Sequence, residues 1–187
     1  DKFDVNPFLS ILEMFYYDKD REKALEIFPV SFIVNELSTI IKSDINKYGL
    51  NYLRCFYAIC ALPHTAEESR MIFNEIVYLQ EFLKDDNSII FICYIISKMD
   101  SYETLPIDLL KESQFPEYLC NLAQSQNTKI VENSLILIGK FLYNKICNFE
   151  KLTWGFFIDD LLFANRDNER IFVLTLWILS TCIDQDY

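Results

Sequence analysis

The sequence predicts an all-α protein, and three features of the 187-residue chain lead to that prediction. Apolar residues recur every three or four positions, as in the row Ile171, Leu174, Ile178 and Cys182, which is helical spacing. The chain has 3 glycines, too few for the tight turns of several β-hairpins. Polar breaks of about five to seven residues separate the apolar segments, a length typical of connections between antiparallel helices.

The prolines and polar breaks divide the chain into elements of similar design. Asn6 and Pro7 form a helix cap followed by a first-turn proline, so the first helical segment is Pro7–Phe28. A short extra helix is expected at Ile107–Glu112 and another at Glu150–Gly155. Four further segments each pair a short amphipathic helix with a longer, more apolar one: Ile33–Leu62, Ile76–Met99, Phe115–Leu142 and Phe157–Ile183.

These four segments are repeats of one unit. A small residue in each long helix gives their common register: Cys55, Cys93, Ser134 and Thr175, which are 38, 41 and 41 positions apart. Spacings of about 40 to 47 residues are typical of two- and three-helix solenoids. The sequence thus predicts an α-solenoid of about four full repeats, with Pro7–Phe28 as a partial or capping repeat, forming one domain over residues 1–187.

Two stretches of the chain, LAQSQNTKIVENSLILIGKFL and LLFANRDNERIFVLTLWILST, resemble the second and third helices of the armadillo repeat, including the Ser- and Asn-rich break between them. HEAT repeats have a similar pattern. The resemblance covers about 150 residues and implies a right-handed α-solenoid. It also implies a function in protein–protein interaction, with a partner bound along the inner face of the long helices.

In armadillo proteins of the importin-α type, a Trp-x-x-x-Asn ladder on that face holds an extended basic peptide. The Trp position falls on Tyr57, Ile95, Ile136 and Trp177, and the Asn position on Ala61, Met99, Lys140 and Thr181. No Asn occurs at these four positions, yet the backbone of an extended peptide needs hydrogen-bond partners. A non-catalytic scaffold for a partner helix or peptide is therefore the leading hypothesis, and a nuclear transport adaptor for basic peptides is the alternative.

The predicted partner-binding residues form an apolar seam with charged flanks. They are Arg54, Tyr57, Ile95, Met99, Glu132, Ile136, Lys140, Trp177 and Thr181. Periodicity indicates the same surface. Two apolar rows of the helix Asn127–Asn144 are assigned to the core, and the stripe that remains consists of Glu132, Ile136 and Lys140. Such a seam suits an amphipathic partner helix. The competing interpretation is that these residues pack against their own neighbours in a tightly curved solenoid.

Composition excludes several classes of function. The chain is 51% hydrophobic and 24% charged, which excludes disorder. The net charge of −11 argues against nucleic acid and anionic membranes as main partners, because both require a basic surface. The longest apolar runs fall short of the ~18 to 20 residues that a membrane span needs, so no membrane insertion is expected.

The cysteine pattern favours reduced thiols in a cytoplasmic or nuclear protein. The six cysteines are Cys55, Cys60, Cys93, Cys120, Cys147 and Cys182. They occur in apolar runs, where a free cysteine behaves as a small core residue. Disulfide bonds and metal ligation are the less favoured alternatives. The opening residues also lack the pattern of a secretory signal peptide.

No catalytic, metal-binding or cofactor-binding residue is predicted. The single histidine, His64, is placed in a loop, and the chain has no glycine-rich phosphate loop. Adjacent carboxylates such as Asp85 and Asp86 point apart on a helix and cannot act as a pair. The sequence therefore indicates a protein that is not an enzyme.

The closing helix, Asn168–Ile183, has a second apolar row, Phe172, Leu176 and Leu179, that no later segment of the sequence covers. A solenoid normally ends in a repeat with a polar outer face. The sequence, which begins with Asp1, is therefore interpreted as a fragment of a longer repeat protein. Self-association through this helix is expected.

Overall fold

The computed structural model describes residues 4–17, 21–146, 161–163 and 165–184. All regular secondary structure within these ranges is helical, which confirms the all-α prediction. A π-helical segment, Ile33–Leu37, joins α3 to α4. The helices are α1 (Asn6–Tyr17), α2 (Arg21–Ile27), α3 (Val30–Phe32), α4 (Ser38–Ser43), α5 (Ile45–Cys60), α6 (Ala66–Leu79), α7 (Asp86–Ser101), α8 (Ile107–Glu112), α9 (Phe115–Leu122), α10 (Thr128–Tyr143) and α11 (Glu169–Asp184).

The chain divides into two compact units, residues 1–106 and 107–187. In the first unit the long helices α1, α5 and α7 are neighbours, and α5 contacts both of the others. The helices α3 and α6 contact each other, and α6 packs against α5 and α7. Tyr52 and Phe56 of α5 are fully buried, with ring centroids 4.3 Å apart.

In the second unit, α10 contacts α9 on one side and α11 on the other, and α8 contacts α9. The two predicted apolar rows of α10 are buried, as the pattern of the sequence requires: Ile130, Val131, Ser134, Leu135, Leu137, Ile138, Phe141 and Leu142. The short helix predicted at Ile107–Glu112 is confirmed as α8. The one predicted at Glu150–Gly155 lies outside the described residues.

Side chains cap the start of several helices. At α6, Thr65 Oγ1 accepts a hydrogen bond from the Glu68 backbone N–H, and Glu68 Oε2 accepts one from the Thr65 N–H. This reciprocal pair satisfies two backbone donors that the first helical turn leaves unpaired. At α7 and α10 a single bond caps the helix. A side-chain oxygen of Asp85 accepts from the Ser88 N–H, and one of Asn127 accepts from the Lys129 N–H.

The helix α6 differs from the prediction, because it begins ten positions before Ile76, where the repeat was expected to start. The residues of its first turn, from Ala66 to Ser69, belong to the stretch PHTAEES, which is one of the predicted polar breaks. They are polar because the first turn of a helix favours acidic side chains and because most of them face solvent, not because they form a loop.

A buried carboxylate joins α4 to α6. Glu75 of α6 accepts hydrogen bonds from Ser38 Oγ at 3.1 Å and from Lys42 Nζ at 3.0 Å, so both of its oxygens are paired. The Lys42 ammonium also lies 4.4 Å from the centroid of the Tyr78 ring. These bonds compensate for the cost of removing the carboxylate from water.

Candidate interaction surface

The surface of the long helices in the first unit keeps two of the predicted residues exposed to solvent. Arg54 of α5 is exposed, and Tyr57, one turn further along, is half-buried. The guanidinium Nε of Arg54 lies 3.1 Å from Glu13 Oε1 of α1, so an ion pair connects the two helices at the surface. This pair neutralises the charge of Arg54 and holds its side chain in place.

Aromatic rings from neighbouring helices meet around Tyr57. Its ring centroid lies 5.7 Å from that of Phe91, at 71°, and 6.0 Å from that of Tyr94. Phe91 and Tyr94 are themselves 6.3 Å apart and inclined at 77°. All three residues are half-buried, and edge-to-face pairs of this kind hold their rings in fixed orientations.

Tyr17 of α1 extends this group. Burial, with a contribution from nearby Tyr57, raises the pKa of Tyr17 to about 12, so its hydroxyl stays protonated at neutral pH. Half of the Tyr17 surface is exposed. Tyr17, Tyr57, Phe91 and Tyr94 together are called the aromatic strip. It crosses α1, α5 and α7, and three of its four residues were not among the predicted site residues.

Ile95 and Met99 of α7, which were predicted to line the partner-binding seam, are fully buried. In this conformation they have no surface to offer a partner, as the competing interpretation of internal packing requires. Phe91 and Tyr94 occupy the exposed side of α7 in their place. The assignment of Ile95 and Met99 to an exposed seam does not hold here, because α7 is apolar around most of its circumference. Periodicity alone therefore does not identify the exposed side of this helix.

The predicted residues of α10 do form one stripe on the helix. Glu132, Ile136 and Lys140 are all half-buried. Glu132 Oε2 lies 3.1 Å from Nε of Arg170 at the start of α11, so an ion pair links the two helices there. The stripe is thus partly accessible, and one of its charges is paired.

The two predicted residues of α11 both pack within the second unit. The indole ring of Trp177 lies against Gly139 of α10 and is half-buried. Thr181 is buried, and its hydroxyl donates to the Trp177 carbonyl at 2.9 Å. Thr181 therefore does not contact a partner in this conformation, and Trp177 has a structural contact that periodicity did not reveal.

A further side of α11 is apolar and exposed. Leu176, from the row predicted to lack a cover, is exposed, whereas Phe172 and Leu179 of that row are half-buried. Val173 and Ile183 are exposed as well. These three exposed residues, Val173, Leu176 and Ile183, are called the α11 stripe. Self-association through it remains a prediction.

Five of the cysteines lie within the described residues, and all five are free thiols. Cys55, Cys60 and Cys93 are buried, and burial raises the pKa of Cys55 and Cys93. A raised pKa keeps a thiol protonated and unreactive. Cys120 and Cys182 are less buried, and Cys147 lies outside the described residues.

The single histidine has a structural place. His64 Nδ1 lies 2.8 Å from the Leu62 carbonyl, and Nε2 lies 2.8 Å from Thr104 Oγ1. A carbonyl only accepts, so Nδ1 carries the hydrogen toward Leu62, and Nε2 forms a second hydrogen bond with the Thr104 hydroxyl, which also lies 3.3 Å from the Met99 carbonyl oxygen. Ser69 Oγ donates to the same Thr104 oxygen at 2.8 Å. His64 thus connects the α5–α6 loop to the α7–α8 loop.

Neither a metal site nor a membrane-spanning helix occurs within the described ranges. No group of three or more His, Cys, Asp or Glu side chains there is arranged to hold a metal ion. No helix there combines the length and the apolar character needed to cross a membrane. In comparisons with known proteins, no family model, no curated protein and no solved structure matches the chain.

Proposed function

We propose that this protein is a non-catalytic interaction scaffold that binds a partner protein along the exposed side of its long helices. The proposal includes an armadillo-like α-solenoid over residues 1–187. The adjacent packing of α1, α5 and α7, and that of α10 and α11, support this arrangement, because solenoids stack successive long helices side by side.

The aromatic strip is the observation that carries the proposal. Tyrosine, tryptophan and arginine contribute most to binding energy at protein interfaces, and the strip contains Tyr17, Tyr57 and Tyr94, with Arg54 one turn before Tyr57 on α5. Ring-to-ring packing already fixes Tyr57 and Tyr94, so a partner would lose little conformational entropy in ordering them. The surface is therefore suited to apolar or aromatic side chains of a protein partner.

The charge pattern of the surface favours this scaffold over an adaptor for basic peptides. A basic extended peptide needs side-chain amides along its backbone, and the corresponding positions hold Ala61, Met99, Lys140 and Thr181, of which two are buried. The carboxylate nearest the strip, Glu13, is already paired with Arg54. We place the protein in the cytoplasm or the nucleus, where free thiols such as Cys55 and Cys93 stay reduced.

A binding experiment with point variants tests the proposal. The protein is immobilised, partners are captured from cell extract and identified, and each is then produced pure for affinity measurement. Tyr57→Ala and Tyr94→Ala should each weaken a true partner about tenfold or more. Tyr143→Ala serves as the matched control, because Tyr143 is an exposed tyrosine of α10 outside the aromatic strip.

The outcome also separates the two hypotheses. A scaffold that binds through apolar contacts should keep its partner at about 0.5 M salt, whereas a charge-reading adaptor should release basic peptides there. Partners that bind all three variants and the original protein equally would contradict the proposal. Melting temperatures of the variants check that the fold is retained.

A further inference from the structure

A second apolar surface lies on α1, on the side that faces away from the core. Leu9, Leu12 and Tyr16 of this helix are fully buried, whereas Ile11 and Phe15, on other sides of the helix, are half exposed. Met14, beside them, is 72% exposed. Ile11, Met14, Phe15 and Tyr17 line an open groove of about 460 Å³, here called the α1 groove.

We infer that the α1 groove is a docking site for an amphipathic helix with basic flanks, supplied by another protein. This surface shares Tyr17 with the aromatic strip, whereas Tyr57, Phe91 and Tyr94 are not among the described residues that line it, and the substitutions that test it leave Tyr17 unchanged. The inference therefore extends the proposed function to a second site and can be tested independently of it.

The polarity of the groove selects a helix over an extended peptide. Among the described residues that line it, the only polar side-chain atom is the Tyr17 hydroxyl. An extended peptide would leave its backbone N–H and C=O groups unpaired against such a surface, at a cost in free energy. A helix satisfies these groups internally and offers only its side chains.

The spacing and the size of the groove lead to the same occupant. Ile11, Met14 and Phe15 follow the i, i+3, i+4 pattern, which forms a ridge that a second helix can pack against. Their exposed surface, with that of Tyr17, amounts to roughly 400 to 500 Å². A stable dimer buries about 800 Å² on each partner, so this patch alone is too small to hold a second copy of the chain.

Charge selects basic flanks. Glu13, the only charged residue of α1, is paired with Arg54, so the preference for basic flanks depends on the charge of the whole chain. The chain as a whole has a net charge of −11. Lys or Arg residues beside the apolar face of the partner would speed its association, and acidic ones would be repelled.

Two synthetic helices of 14 residues test the inference with the full chain. One contains Leu on one face and Lys on the other, and the second keeps the same Leu positions with Glu in place of Lys. Fluorescence anisotropy at physiological salt should show saturable binding of the Leu–Lys peptide and much weaker binding of the Leu–Glu peptide. Equal binding of the two peptides would overturn the charge argument.

Substitutions place the binding in the groove. The neutral double variant Met14→Ser, Phe15→Ser should weaken the Leu–Lys peptide about tenfold or more, and the single variant Ile11→Gln provides an independent check if the double variant does not fold. Two controls should bind normally: Val173→Ser, Leu176→Ser on α11 and Tyr94→Ala in the aromatic strip. If the α11 variant loses binding instead, the groove is the wrong site.

Sedimentation velocity tests whether a second copy of the chain occupies the α1 groove instead of another protein. Serine at positions 14 and 15 should leave the oligomeric state unchanged, because the partner is another protein. A dimer that dissociates in this variant would assign the groove to a second copy and overturn the inference. The α1 groove is supported if the Met14→Ser, Phe15→Ser variant loses the Leu–Lys peptide and Tyr94→Ala binds it normally. This result does not depend on whether the aromatic strip binds a partner.

Discussion

The indole ring of Trp177 lies so close to the Cα atom of Gly139 that no other residue fits at position 139 without a shift. A Cβ atom placed there would lie 2.7 Å from two carbons of the ring, and closer still to a third. The contact brings α10 and α11 together within the second unit, where the two helices pack closely. Gly139 is therefore required for close approach rather than for an unusual backbone conformation.

Gly139→Ala should lower the free energy of unfolding by about 1–3 kcal/mol, because the added methyl group displaces a rigid ring. Gly49→Ala is the matched control. The atoms nearest to its Cβ would be side-chain carbons of Leu83, with the two terminal carbons at 2.8 Å, and alanine favours the helix over glycine by about 0.5–1 kcal/mol. Denaturant unfolding of both variants gives the comparison. Similar stability of the two would contradict the packing argument, whereas Trp177→Leu should rescue Gly139→Ala.

Glu75→Ala should lower the free energy of unfolding by about 2–4 kcal/mol, because it leaves Lys42 and Ser38 without their carboxylate. Glu75→Gln should cost less, since the amide oxygen still accepts one hydrogen bond. The control is Asp4→Asn, because the Asp4–Lys47 pair, 3.3 Å apart, is exposed to solvent and should contribute little to stability. Equal effects of Glu75→Ala and Asp4→Asn in urea titrations would show that the buried pair is dispensable.

Stability should fall at alkaline pH through Cys93. Burial raises the pKa of this thiol from 9.0 to about 12, so above pH 9 the unfolded chain loses the proton and the folded chain keeps it. The contribution of Cys93 is therefore complete below pH 9 and decreases as the pH rises toward 12. The free energy of unfolding should fall less steeply between pH 8.5 and about 10 in Cys93→Ala than in the original protein. If the free energy of unfolding falls equally steeply with pH in both proteins, the prediction for Cys93 is wrong.

The α11 stripe should promote self-association at high concentration. Replacing Val173 and Leu176 by Ser removes two of its exposed apolar side chains and should shift the equilibrium toward monomer. Tyr143→Ser, an equally exposed position on α10, should leave the equilibrium unchanged. Sedimentation equilibrium at about 100 µM measures both variants, a concentration at which even weak contacts are populated. A protein that stays monomeric throughout would show that α11 needs no cover.

Some site residues could be identified from the sequence and others could not. The resemblance to the armadillo repeat puts Tyr57 on the partner-binding face with Arg54 at its charged flank, and in the structure Arg54 is exposed and Tyr57 half-buried. Thr65 and Glu68, three positions apart, form the capping-box pattern that marks the start of α6, so the sequence contains a signal for this helix boundary. The position of Phe91 and Tyr94 was not available, since every side of α7 offers apolar residues.

The helical class and the buried rows of α10 follow from the sequence alone. These properties depend on local spacing, because residues three or four positions apart share one side of a helix whatever surrounds it. Tertiary packing, in contrast, establishes that Tyr57 meets Phe91 and Tyr94, that Trp177 covers Gly139 and that Met99 is buried. Those outcomes depend on how each helix is rotated about its axis against its neighbours. That rotation is set by side-chain packing between segments far apart in the chain, which a repeating apolar pattern does not encode.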